Sequence, residues 1–285
     1  MHIIDGKAEA DDILAKLKIE VSRLHKVGII PQFSIILIGN NTASEIYVNA
    51  KIKKAEEIGV KAQLIRFSPE TAQDKIMDKI STLNEDKSNH GIIVQLPVPS
   101  HINQDKIQSA IAPLKDIDAF HPYNVGSLYS GCEPYFIPPT PFGCLHLIQT
   151  IYDDITGKDV VIVGKSNIVG KPLASLLMEK QATVTICHSL TKNLPEITSK
   201  ADIVVLAAGD PEFFGVEYFS EGQLVIDVGI SKKANGKMVG DVDFDQVKEI
   251  VSYISPVPGG VGPMTIAYLL NNCVVAAQRL SAYGN

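Results

Sequence analysis

Apolar positions along this chain alternate between two periods. From Ala8 to Val27 they fall at helical spacing (Ile13, Leu14, Leu17, Val21, Leu24), and Gly28 follows as a left-handed stop. Gln32–Ile38 is a continuous apolar run, which predicts a buried strand closed by Gly39-Asn40-Asn41. A helix is predicted from the Ser44 cap to Ile58, ending at Gly59. Then come a strand at Gln63–Phe67, a helix at Thr71–Leu83 and a strand at Gly91–Gln95, ended by Leu96-Pro97-Val98-Pro99. Strands alternating with helices imply a parallel α/β layer. Residues 121–141 are rich in Gly, Pro and Tyr and carry no period, so they read as a long connection or hinge.

The alternation resumes near Pro141, with a helix to Tyr152 and then VVIVGKSNIVGKPL (Val160–Leu173). Here an apolar strand breaks at Gly164 into a polar loop, and Gly170 opens the next helix. This is the order of a dinucleotide-binding βα unit, in which glycine admits a phosphate to the backbone and the helix N-terminus faces its charge. The spacing is not G-x-G-x-x-G, so an ordinary βα turn stands beside that reading. The next strand, 183–188, ends in Cys187-His188-Ser189 with no acid to hold a ribose 2′-hydroxyl. Hydroxyls, an imidazole and Lys165 instead suit a 2′-phosphate, which favours NADP over NAD. Strands at 202–208 and 223–230 continue the sheet. Pro256–Pro263 then feeds a last apolar helix, Met264–Leu280, whose N-terminus carries Pro263. The expected architecture is two α/β lobes around a cleft, the second a Rossmann-like doubly wound domain.

Composition narrows the class. The 285 residues suffice for two domains, with 45% hydrophobic and 20% charged residues. A net charge of −6 argues against general nucleic-acid binding. No apolar run reaches the roughly 20 residues that span a bilayer, and the N-terminus lacks a signal-peptide core. Four scattered cysteines without C-x-x-C, and histidines without an H-x-x-x-H pair, predict a reduced cytoplasmic protein with no metal.

The chemistry candidates lie mostly in the first half. Tyr47 and Lys51 sit four apart on a predicted helix and share a face. A lysine beside a phenol in a dry cleft can trade protons near neutral pH. Taken alone, however, Lys51, Lys53, Lys54, Glu56 and Glu57 read better as a solvated face. Short-chain dehydrogenases use a Tyr-x-x-x-Lys pair, but after the nucleotide loop; here it precedes Gly164. Gln95 ends a strand where open sheets place ligand groups, although a buried glutamine satisfied by backbone is an equal reading. Of the acids in Lys115-Asp116-Ile117-Asp118, Asp118 is the better candidate to face a ligand. His121 and His188 could be acid–base groups or structural.

Together these stretches closely resemble the bifunctional methylenetetrahydrofolate dehydrogenase/cyclohydrolase (FolD) family. The matching segments are SEIYVNAK (Ser44–Lys51), GIIVQLPVP (Gly91–Pro99), KDIDAFHPYNVGSL (Lys115–Leu128) and PPTPFG (Pro138–Gly143). They continue with GKSNIVGKP (Gly164–Pro172), CHSLT (Cys187–Thr191), VIDVGI (Val225–Ile230), GDVDF (Gly240–Phe244) and PVPGGVGPMT (Pro256–Thr265), in family order over nearly the whole chain. The resemblance implies NADP-dependent oxidation of 5,10-methylenetetrahydrofolate and hydrolysis of the methenyl product to 10-formyltetrahydrofolate, within the one-carbon metabolism that serves purine biosynthesis. It implies Lys51 as the acid–base group of hydrolysis, Tyr47 beside the folate, Gln95 tuning the lysine and Asp118 gripping the pterin. Leu96, Pro97, Pro258, Gly259 and Gly260 would border the folate, and Gly164, Lys165, Ser166, Ser189 and Ile230 the NADP. It further implies a homodimer joined through the nucleotide domains. Residues 1–140 with a returning helix at 264–285 would form the folate-binding domain, and 141–263 the NADP-binding domain. Three positions depart from the family pattern: Lys165 for Arg, Ala119 for Gly and Pro139 for Cys. A dehydrogenase without hydrolase activity, a non-catalytic NADP-binding protein and a shikimate-type dehydrogenase are the competing readings.

Overall fold

The computed structural model describes residues 1–233 and 235–282. Strand β1 (His2–Ile3) leads into helix α1 (Gly6–Lys26), followed by β2 (Gln32–Ile38), α2 (Thr42–Ile58), β3 (Lys61–Phe67), α3 (Gln73–Glu85), β4 (Gly91–Val94), α4 (Gln104–Ala110) and α5 (Pro122–Tyr129). Helix α6 (Pro139–Gln149) precedes β5 (Asp159–Val163), α7 (Gly170–Glu179), β6 (Thr183–Cys187), α8 (Leu194–Thr198), β7 (Ile203–Leu206) and β8 (Leu224–Asp227). A hairpin of β9 (Ser231–Lys232) and β10 (Met238–Val239), helix α9 (Phe244–Val247), β11 (Tyr253–Ile254) and α10 (Val261–Ala282) complete the chain.

The chain forms two compact units, Asp12–Pro138 with Ile266–Asn285, and Met1–Asp11 with Pro139–Thr265. In the first, three parallel strands run β3-β2-β4. Central β2 is buried along almost its whole length, which is why it is apolar without alternation. Ile36, Ile38, Ile76, Ile80, Ile92 and Ile107 pack α3 and α4 onto one face of this sheet. After α4 the chain returns beside β4: Asp116 bridges Ile92 in parallel, and Ile92 N–H donates to the Lys115 carbonyl at 2.7 Å. The final helix belongs here as well, for Asn272 Nδ2 donates to the carbonyls of Ile117 (2.9 Å) and Ile137 (3.0 Å). In the second unit six parallel strands run β1-β11-β8-β7-β5-β6. Chain order reverses direction across β5, which puts the switch point of the sheet at the carboxyl ends of β5 and β7.

Two expectations change. The first eleven residues, assigned above to the folate-binding domain, join the six-stranded unit, because β1 pairs with β11 at the other end of the chain. A two-residue strand has no period to read, and only its distant partner defines it. Residues 121–141 are not a structureless connection either: α5 starts at Pro122, with the His121 ring nitrogen accepting from Tyr123 N–H at 2.9 Å, and α6 starts at Pro139. Residues 283–285 of the expected C-terminal segment lie outside the described residues. No helix among the described residues is long and apolar enough to cross a membrane.

Candidate active site

Helix α2 is fixed at both ends, by Asn41 accepting from Ser44 N–H (3.0 Å) and by left-handed Gly59. Tyr47 and Lys51 lie one turn apart on it. The solvated-face reading holds for Lys53, Glu56 and Glu57, which are exposed, but not for Lys51, which is 6% exposed. The helix therefore carries its charge on the outside and turns one lysine inward. Lys51 Nζ donates to Gln95 Oε1 at 3.2 Å.

Gln95 follows directly on β4, with its N–H donating to the Ile36 carbonyl at 2.9 Å as a last rung of the ladder. Its Nε2 donates to the Leu96 carbonyl at 2.9 Å, which also accepts from Ser44 Oγ at 3.3 Å. That bond assigns the amide: nitrogen to the backbone, oxygen to the lysine. Asp118 comes to the same sheet edge because the 115–118 segment runs alongside β4. Burial pushes its carboxyl up, while the Lys51 ammonium pulls it down. Burial also raises the Tyr47 phenol, which keeps it protonated as a donor. Leu96 is half-buried, Pro97 is exposed, and the peptide between them is cis. Lys51, Gln95 and Asp118 are thus brought together by three separate elements, with Tyr47 on the same helix.

In the six-stranded unit the Gly164–Gly170 loop explains its own spacing. A Cβ on Gly170 would stand 1.8 Å from the Gly164 carbonyl oxygen, and one on Gly164 would stand 2.3 Å from that of Ala207. The glycines let α7 and the end of β7 close against the end of β5, the close approach that a phosphate loop requires. Lys165, Ser166, Ser189 and Ile230 are exposed around this end of the sheet. Ser166 Oγ accepts from Val169 N–H at 3.1 Å, and Thr191 Oγ1 accepts from His188 N–H at 2.9 Å, so hydroxyls order both turns. No carboxylate terminates β6. A glycine-lined switch point, exposed Lys165 and Ser189 and the missing acid fit a dinucleotide bearing a 2′-phosphate. Pro258, Gly259 and Gly260 fall in this unit, where a Cβ on Gly6 would stand 2.1 Å from the Gly260 carbonyl oxygen.

The ring nitrogens of His121 and His188 accept from Tyr123 and Leu190 N–H, closing local turns. Sequence reasoning passed over two groups. Asp116 is buried and accepts from His121 N–H (2.7 Å) and Asn124 Nδ2 (2.9 Å), and burial lifts it to about 6. Lys115 Nζ donates to the Leu83 and Asp86 carbonyls, anchoring the segment that carries Asp118 to the end of α3. Both lie inside the KDID stretch, but the partners of Lys115 are remote in sequence.

Fold and site define a two-unit α/β protein that combines a Rossmann-type dinucleotide sheet with a parallel layer carrying an inward lysine. Residues 4–118 match the tetrahydrofolate dehydrogenase/cyclohydrolase catalytic domain and residues 138–281 its NAD(P)-binding domain, and the chain belongs to that family. It is 53% identical to the bifunctional protein FolD of Rickettsia typhi over 99% of both chains. Among solved structures it is similar to the bifunctional FolD dehydrogenase/cyclohydrolase of Campylobacter jejuni, with TM-score 0.95 and 46% identity over 98% of this chain and 99% of that one. It is also similar to the Trypanosoma brucei FolD enzyme complexed with NADP cofactor and inhibitor, with TM-score 0.93 and 38% identity over 97% of both chains.

Proposed function

We infer that this chain oxidises 5,10-methylenetetrahydrofolate with NADP⁺ and hydrolyses the methenyl product to 10-formyltetrahydrofolate. Family membership over both domains supports the pair of activities, and one observation carries the hydrolytic half: a buried Lys51 held at 3.2 Å by an oriented Gln95. Lys51 moves the proton at its Nζ as water adds to the methenyl carbon. Gln95 Oε1 keeps that nitrogen aimed, and Asp118 grips the pterin through its carboxyl. Tyr47 lies alongside the folate, and Leu96 and Pro97 border it. Gly164, Lys165, Ser166, Ser189 and Ile230 hold the dinucleotide, which supplies the hydride acceptor when bound.

The protein works as a homodimer joined through the six-stranded unit. Edge strand β6 supports this: among the described residues it pairs on one side only, and it leaves Ile186 38% exposed. Its place is the cytoplasm, and its net charge of −6 speaks against a nucleic-acid partner.

The deciding experiment gives purified protein 5,10-methylenetetrahydrofolate with NADP⁺ or NAD⁺, and follows decay of added methenyltetrahydrofolate in parallel. Reduction favouring NADP⁺, with accelerated decay, is expected. Reduction without accelerated decay removes the hydrolase role from Lys51, and no turnover by protein that binds NADP leaves a non-catalytic binding protein.

A further inference from the structure

The motifs VIDVGI and GDVDF contribute only Ile230 to the function above, yet each places an aspartate in the core of the six-stranded unit: Asp227 is 3% exposed and Asp241 0%. Asp227 ends β8. Its Oδ1 accepts from Gly229 N–H (2.9 Å) and Asp241 N–H (3.0 Å), and its Oδ2 from Val242 N–H (3.0 Å). Its own N–H donates to Ser255 Oγ, just past β11, at 2.8 Å. Asp241 reaches across to the loop after β7, where its Oδ2 accepts from Ala208 N–H (2.7 Å) and Gly209 N–H (2.9 Å). The acids therefore tie together the segments leaving β7, β8 and β10, and anchor them to β11. They are packed without slack: a Cβ on Gly240 would stand 1.9 Å from Asp227 Oδ2, and one on Gly229 would stand 2.2 Å from Asp241 Oδ1.

Two of these segments flank the dinucleotide end of the sheet. Ala207 meets Gly164 at the switch point, and Val228–Ile230 leads out of β8. We propose that Asp227 and Asp241 are the positioning residues of the dinucleotide site, holding the 207–209 and 228–230 loops in the geometry that receives NADP. They do so through main-chain amides and need touch no cofactor atom. The proposal rests on the assignment of NADP to this end of the sheet. It predicts a split: dinucleotide affinity depends on the pair, whereas methenyl hydrolysis, which consumes only water, does not.

The test measures NADP Kd by calorimetry, NADP⁺ KM and kcat for oxidation, and the rate of methenyl hydrolysis. The proteins are wild type, Asp241→Asn, Asp241→Ala and Lys165→Ala. Asp241→Asn keeps one acceptor oxygen for the loop amides and is expected to raise Kd and KM at least threefold. Asp241→Ala is expected to raise them at least tenfold, and both should leave hydrolysis and kcat within twofold. Should the alanine protein not fold, the asparagine protein decides. A Kd within twofold of wild type in folded Asp241→Asn overturns the proposal, as does loss of binding and hydrolysis in equal proportion. Lys165→Ala separates the underlying assignment: an unchanged Kd there moves the dinucleotide elsewhere and overturns both. A raised Kd in Lys165→Ala with an unchanged Kd in Asp241→Asn removes only the role of the pair.

Discussion

The two candidate sites hold their buried ionisable groups in opposite ways. At the site of the three-stranded unit the inward group is Lys51, and its partners are side chains from other elements, Gln95 and Asp118. In the six-stranded unit the buried acids are Asp227 and Asp241, held by main-chain N–H groups from neighbouring loops. A side-chain partner leaves the ammonium free to exchange its proton and reorient. A backbone cradle ties the carboxylate to the fold itself. The first arrangement suits a group that reacts, and the second a group that holds loops still.

Removing the inward lysine should break the comparison most strongly. Lys51→Met is expected to lower methenyl hydrolysis by about 10³-fold or more, as loss of a positioned acid–base group does, with NADP Kd unchanged. Stopped-flow decay of methenyltetrahydrofolate and calorimetry check the two halves. Removing only the orienting partner should cost less. Gln95→Ala is expected to slow hydrolysis about 10- to 100-fold, the worth of about 1.5–3 kcal/mol for a hydrogen bond to a charged group.

The backbone-held acids make a prediction about stability. Burial raises Asp227 to about 7, with the neighbouring Asp241 adding to the rise and the amides of Val242, Asp241 and Gly229 opposing it. A carboxyl raised above its unfolded value of about 3.9 binds its proton more tightly in the native state. Its contribution is therefore complete below about pH 4 and is lost as pH climbs through 7. His90 and His121, lowered by burial, act in the reverse sense over the acid part of this range, so the comparison must be made between variants. Asp227→Asn should flatten the fall in unfolding free energy between pH 5 and pH 8 by about 1 kcal/mol or more, read from urea midpoints at each pH. An unchanged slope would show that the carboxylate stays ionised in its cradle.

The smallest effect is expected at Ala119, the residue after Asp118. It takes a left-handed φ of 60° where the family pattern has glycine, and it is fully buried. Left-handed strain of about 1 kcal/mol is offset by about 0.8 kcal/mol for one buried methyl. Ala119→Gly should therefore move stability by less than about 0.5 kcal/mol, seen as a Tm change of roughly 2 °C or less. A loss several times larger would mean that the methyl fills space the core needs.

Local pattern carried much of this molecule. The apolar runs at Gln32–Ile38 and Val160–Val163, the Gly59 stop and the Gly164–Gly170 loop declare strands, helix ends and a phosphate-type turn within a few residues, because backbone sterics and side-chain period act locally. The ordered motifs likewise named the family, and the strand end without an acid pointed to NADP. Without the family motif the charges of α2 read as a solvated face, and only the packing of α2 against the end of β4 separates the buried Lys51 from the exposed Lys53. The sequence by itself could not show that His2–Ile3 pairs with Tyr253–Ile254, or that Asp227 and Asp241 share one cradle. Those facts rest on groups brought together across long stretches of chain. Burial and hydrogen bonding between remote residues exist only once the sheets have assembled.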